Sequence, residues 1–148
     1  MKIILISLLL ISCSSKKSWQ EASRESSHIS PKPSEIDEDI YQIFYARAFS
    51  WRGYFGVHPW VAWKKKGDKN YTVAQIISWN LRRTGTALSL GQDVPDRLWY
   101  DHTPTLLYEV RGDKALTIID KTQKLIKEYP YKDTYTLWPG PNSNTFVS

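Results

Sequence analysis

Two stretches of the 148-residue chain carry side chains able to do chemistry. The first is Gly56-Val57-His58-Pro59-Trp60-Val61-Ala62-Trp63. Alternate residues of an extended strand share a face, so His58, Trp60 and Ala62 project together. An imidazole there has an ordinary pKa near neutrality and suits general-base work. The second stretch is Leu137-Trp138-Pro139-Gly140-Pro141-Asn142-Ser143-Asn144-Thr145-Phe146-Val147. It is a Pro/Gly turn running into polar residues that mark a helix start, where a presented side chain faces unsatisfied amide hydrogens. The remaining His28 and His102, with one Cys, give no zinc-ligand spacing, so neither a metal nor a cofactor is expected.

The elements that must position these residues predict an α+β fold, an antiparallel sheet with one main packed helix. Tyr41 to Phe49 reads as a strand, with Tyr41, Ile43 and Tyr45 on one face and Phe44 opposite. Gly53 and Gly56 mark a turn, and Val57 to Trp63 returns as a second strand that Pro59 assigns to an edge or a bulge. The lysine-rich loop Lys64 to Asn70 leads into a long strand, Tyr71 to Leu81. A Gly85 turn precedes the short apolar run Ala87 to Leu90, the segment from Gly91 to Pro104 is turn-rich, and Leu106 to Val110 is a further strand. From Asp113, read as the N-cap, Ala115, Ile118, Ile119, Thr122, Leu125, Ile126 and Tyr129 repeat at helical spacing until Pro130.

Composition narrows the class of protein. Apolar residues at 41% and charged residues at 24% exclude collagen, coiled coil and full disorder. All but one of the 20 aromatic residues lie from Tyr41 onward, so a small core is filled with large rings. The single Cys forbids an internal disulfide. Lys2 and the apolar run Ile3 to Ile11 are too short for a membrane span of about 20 residues and read as a signal peptide, residues 1–12. Leu10-Ile11-Ser12-Cys13 resembles a bacterial lipobox, which implies a lipidated Cys13 and a periplasm-facing, lipid-anchored envelope protein. An ordinary signal peptide with an incidental Cys is the alternative. Acyl chains contribute roughly 0.8 kcal/mol per buried methylene, enough for several to hold the chain to a membrane. Residues 13–40, rich in Ser with Pro31 and Pro33, read as a disordered tether. With five basic and six acidic side chains in residues 1–40, the remaining 108 residues carry a net charge of +6. These charges serve solubility or attraction to anionic lipid or envelope polymer, and no nucleic-acid motif accompanies them.

The strings His58-Pro59-Trp60-Val61-Ala62 and Trp138-Pro139-Gly140-Pro141-Asn142-Ser143-Asn144-Thr145-Phe146, with Tyr71 to Leu81 and Tyr129-Pro130-Tyr131 between, resemble the bacterial domain of unknown function 3750 across residues 41–147. More distantly, the layout is similar to circularly permuted NlpC-type, papain-like hydrolases. There a strand His precedes, in sequence, a nucleophile at a late helix start. The resemblance implies His58 as base and Ser143 in place of the nucleophilic cysteine. It also implies a polar residue on the next strand to orient the imidazole. Gln75 interrupts the apolar face Val73, Ile77, Trp79, Leu81 and fills that role. Trp60, Trp138, Asn142 and Asn144 flank the implied groove as ligand-binding residues. A serine needs a stronger base and a better oxyanion site than a cysteine. Five residues after Ser143 are too few for a stable helix, so the C-terminal helix of the resembling sequences is expected to be missing here and the copy truncated.

Every one of these residues also has a structural role available. His58 can pack on Trp60, Gln75 can satisfy an internal hydrogen bond, Ser143 can cap a turn, Asn142 and Asn144 can shape one, and the tryptophans can fill the core. Three functions follow. The leading one is a membrane-tethered envelope lipoprotein that binds a peptide, glycan or lipid between His58 and Ser143 without efficient catalysis. The others are an amide or ester hydrolase with its oxyanion on the amides after Gly140, and a structural or assembly lipoprotein that engages another envelope protein.

Overall fold

The computed structural model describes residues 20–148; the segment read as a signal peptide, residues 1–12, and Cys13 lie outside the described residues. Five strands, β1 (Ile40–Arg47), β2 (Val57–Lys64), β3 (Thr72–Ile76), β4 (Leu88–Gln92) and β5 (Thr105–Arg111), form one sheet. Its order is β4-β3-β2-β1-β5 and every neighbouring pair is antiparallel. Among the described residues, three α-helices accompany the sheet, α1 (Asn80–Thr84), α2 (Asp113–Glu128) and α3 (Ser143–Val147). The architecture is α+β with one main helix. Among the described residues, no helix is long and apolar enough to cross a membrane.

β2 is a central strand, buried from His58 to Lys64, and not the edge that Pro59 suggested. It pairs with β1 along its whole length, from Ile40↔Lys64 to Arg47↔Val57, whereas β3 meets it only between Val61 and Trp63. Pro59 therefore sits in the half of β2 that β3 leaves unpaired, and its missing N–H empties no ladder position on that side. The irregularity of the sheet falls instead where β1 meets β5: Ile43 pairs with Tyr108 and Phe44 with Leu106, so Leu107 of β5 is the extra, unpaired residue. Shortness of β3 is a second correction. The predicted strand from Tyr71 to Leu81 ends at Ile76, and Asn80 to Thr84 turn into helix α1, closed by Gly85 at φ 75°. Local bonds favour that turn: the Thr84 hydroxyl donates to the Asn80 carbonyl and Arg83 to the Asn80 side-chain oxygen. Trp79 and Leu81 thereby leave the strand face, while Gln75 stays on it.

The sheet buries both faces. On one, Tyr41, Val61, Trp63 and Ala74 meet Ala115, Ile119 and Ile126 of α2, with Phe146 and Val147 of α3 packed alongside. The apolar stripe of α2 is narrower than its sequence period implies, since Leu125 is 67% exposed. Gly112, not Asp113, occupies the N-cap, at φ 65°, a conformation that favours glycine. α3 forms despite its five residues because the Asn142 side-chain oxygen accepts from the amides of Asn144 and Thr145 and because Phe146 stands edge-on to Tyr129, their rings 5.2 Å apart. Capping and packing supply what length does not.

On the opposite face, Phe44, Ala46, Trp60, Ala62 and Val73 pack against Ile77 and Trp99. The covering layer includes residues read from composition as a disordered tether. From Ser23 onward that stretch is bound to the domain. The buried Asp96 carboxylate accepts from the Ser26 hydroxyl at 2.8 Å and from the amides of Ile29 and Ser30 at 2.6 and 2.9 Å. The Leu98 amide donates to the Glu25 carbonyl, and Ile36 packs with Ile40 and Tyr71 in a small cluster. A Ser-rich segment has little apolar surface to bury, yet it offers the donors that a buried carboxylate requires.

Candidate functional site

A cavity of about 530 Å³ opens where β2 begins, bounded by the turn before β2, by Trp79 and Trp99, and by the C-terminal segment from Tyr135. His58 and Ser143 both line it. They approach from different layers. His58 projects from β2 into the aromatic face of the sheet, whereas Ser143 opens α3, whose later residues pack on the α2 face. Among the described residues, no hydrogen bond joins the two.

The imidazole is held on three sides. Its Nε2 lies 2.9 Å from the Gln75 side-chain oxygen; with that oxygen as acceptor, Nε2–H donates and Nδ1 keeps the free lone pair. The ring stacks on Trp99 at 3.8 Å between centroids and 7° between planes, and Trp60 lies 5.9 Å away. Burial drives the His58 pKa from 6.5 down to about 4; the Gln75 bond opposes this and the positive charge of Arg97 adds to it. His58 is therefore neutral at pH 7. The stack continues outward, since Trp79 lies 6.0 Å from Trp99 on a near-parallel plane. Trp99 lay in a segment read only as turn-rich. A large ring amid turn residues was the available signal, but nothing local says which imidazole it will cover.

The facing wall is built by local bonds. The Thr136 amide donates to the Pro141 carbonyl at 2.8 Å, and the Asn142 side-chain amide donates to the Leu137 carbonyl at 3.1 Å. Gly140 adopts φ 133°, and a Cβ on it would stand 2.7 Å from the Thr145 hydroxyl oxygen, so a glycine is required. The amides of Asn144 and Thr145 are consumed by the Asn142 side chain, and the Asn142 amide donates to the Thr145 hydroxyl. Of the amides following Gly140 that were expected to hold an oxyanion, these three are engaged, and Pro141 has none.

The four ligand-binding candidates separate clearly. Trp138 lines the cavity and is 85% exposed, and Asn144 lines it as well. Asn142 lines it, but its side chain is committed to capping α3 and bracing the loop. Trp60 is not among the lining residues: it is buried and donates its indole N–H to the Pro95 carbonyl at 2.7 Å. Cys13 lies outside the described residues. Trp51, Arg52, Trp79 and Tyr135 line the cavity without having been singled out for it. Burial raises the Tyr135 phenol pKa, with the nearby Arg52 charge pulling the other way. Among the described residues, no cluster of three His, Cys, Asp or Glu side chains is placed to hold a metal ion.

Fold and site together define an α+β domain with an aromatic-walled cavity at one end of an antiparallel sheet. The chain belongs to the family described as "Protein of unknown function (DUF3750)", whose model matches residues 38–148. No curated protein and no solved structure matches it.

Proposed function

We propose that this chain is a membrane-tethered lipoprotein of the bacterial envelope, anchored through Cys13 and facing the periplasm, whose domain binds a peptide, glycan or lipid in the cavity shared by His58 and Ser143 without efficiently cleaving it. The observation that carries this reading is the state of His58. A general base for a serine hydroxyl works best with a pKa near the operating pH and within hydrogen-bond reach of the proton it takes. His58 is instead a buried, weakly basic ring with one nitrogen on Gln75 and no bond to Ser143. The engaged amides of Asn142, Asn144 and Thr145 support the same conclusion, because they leave the Ser143 amide as the one donor beside that hydroxyl able to meet developing negative charge.

The hydrolase reading, with the permuted papain-like layout, draws on two facts in its favour: the imidazole and the hydroxyl line the same cavity, and Gln75 holds the imidazole by one nitrogen, leaving the other free. Exposure of the purified full chain to a serine-directed fluorophosphonate, with peptide mapping by mass spectrometry, separates the two. Binding without catalysis predicts no adduct on Ser143; a stoichiometric adduct there overturns it. For the anchor, labelled palmitate is expected in the wild-type protein and absent after Cys13→Ala. Label that persists in the variant refutes attachment at Cys13.

A further inference from the structure

We propose that the cavity takes an anionic amphiphile, an alkyl or acyl chain bearing a carboxylate or phosphate head, with the chain against the tryptophan walls and the head group at Arg52. This rests on the binding reading and adds the class of ligand.

Charge is the first argument. No Asp or Glu side chain lines the cavity, and Arg52 is its one charged side chain once His58 is neutral. The Arg52 guanidinium lies 5.3 Å from the Trp51 ring centroid, and among the described residues no carboxylate pairs with it. A planar guanidinium without an anion, stacked on an indole, is suited to bidentate recognition of carboxylate or phosphate. A cationic ligand would meet this charge with no lining acidic side chain to balance it.

Wall chemistry is the second. Trp51, Phe55, Trp79, Leu137 and Trp138 line the cavity and all are exposed, so large apolar side chains face the solvent within it. Such a patch on a soluble surface marks a place where apolar material is received. The third argument is the shortage of polar partners. The Asn142 side chain is spent on the α3 cap, which leaves the His58 Nδ1 lone pair, the Asn144 side chain and the hydroxyls of Ser78, Tyr135 and Ser143 against a larger apolar wall. A saccharide brings hydroxyls, and a peptide brings amides, that each cost free energy when desolvated without a partner. An alkyl chain has no such requirement.

The test is titration calorimetry on the full chain carrying Cys13→Ala, so that no attached lipid competes. The probes are laurate, dodecyl phosphate, dodecyltrimethylammonium, each below its micellar concentration, and a chitin oligosaccharide. Saturable binding of laurate and dodecyl phosphate is expected, strengthening roughly fourfold per methylene from shorter homologues, equivalent to about 0.8 kcal/mol. Arg52→Gln should weaken both by about tenfold with an unchanged unfolding midpoint, and the ammonium probe should bind at least that much more weakly. Competition by phosphatidylglycerol vesicles would identify a bilayer lipid as the source, and its absence a free amphiphile; either keeps the proposal. Equal affinity for cation and anion, indifference to Arg52→Gln, or binding of the oligosaccharide alone overturns it. Failure of all four probes also overturns it, whereas the non-catalytic binding reading falls separately, by a fluorophosphonate adduct on Ser143.

Discussion

The two walls of the cavity are held by different physics. On the sheet side, His58, Gln75 and Trp99 come from β2, β3 and the segment before β5, and they are fixed by a buried hydrogen bond and a ring stack. On the other side, residues from Leu137 to Val147 hold their shape through bonds that span a few positions, Asn142 to Leu137, Asn144 and Thr145. Long-range contacts make the first wall part of the core. Short-range caps make the second a module laid against the core by Phe146 and Val147. The same cavity thus joins a wall that should fail only with global unfolding to one that can loosen by itself.

Breaking the first wall should cost most. Trp99→Ala removes the ring between His58 and Trp79, and we expect a loss of about 3–5 kcal/mol in urea denaturation, as for other buried large-to-small changes. A loss below about 1 kcal/mol would mean that the wall does not depend on that stack. Acid should act on the same wall. The folded His58 pKa, about 4, lies below its unfolded value of 6.5, so the unfolded chain binds the extra proton between these limits. Stability from this group is complete above pH 6.5 and falls by about 3 kcal/mol as pH drops through 4. Denaturation midpoints measured against pH should show this slope, and His58→Gln should flatten it.

Asp96 sharpens the contrast from the layer that covers the same face of the sheet. Asp96→Ala leaves the Ser26 hydroxyl and the amides of Ile29 and Ser30 without their acceptor, with an expected cost of about 2 kcal/mol. Hydrogen exchange should accelerate first at those two amides; uniform acceleration across the sheet would show that the segment is no separate layer. On the second wall, Asn142→Ala should cost only about 1 kcal/mol, the worth of a helix cap. Its exchange signature should be confined to Asn144 and Thr145, leaving the His58 resonances unmoved. Smallest of all is Trp138→Ala, expected to change stability by less than about 0.5 kcal/mol because the ring is exposed. Its effect belongs to ligand titration.

Much of the fold was legible before any coordinates. Alternation put His58, Trp60 and Ala62 on one face, and the one polar break in the next strand marked Gln75, which does meet His58. The helix from Asp113 to Glu128 followed from its period and from Pro130. The errors have a common origin. Pro59 was judged by what a proline lacks, yet the partner strand stops short of it. Trp79 and Leu81 fitted a strand period, but hydrogen bonds around Asn80 closed a turn of helix there. Residues 23–40 looked like a spacer because they lack apolar bulk, and composition cannot reveal a buried carboxylate elsewhere in the chain that needs their donors.

Local pattern by itself determined the class of fold and the period of the main helix, because periodicity and short-range spacing are written into neighbouring residues; the His58–Gln75 pairing was what the family resemblance implied. Tertiary structure alone decided that Trp99 covers His58, that Asp96 binds the segment from Ser26 to Ser30, and that the imidazole and the Ser143 hydroxyl line one cavity without bonding. Those outcomes depend on which distant groups are desolvated together. Desolvation sets both the weak basicity of His58 and the demand of Asp96 for donors, and it exists only once the chain has closed around them.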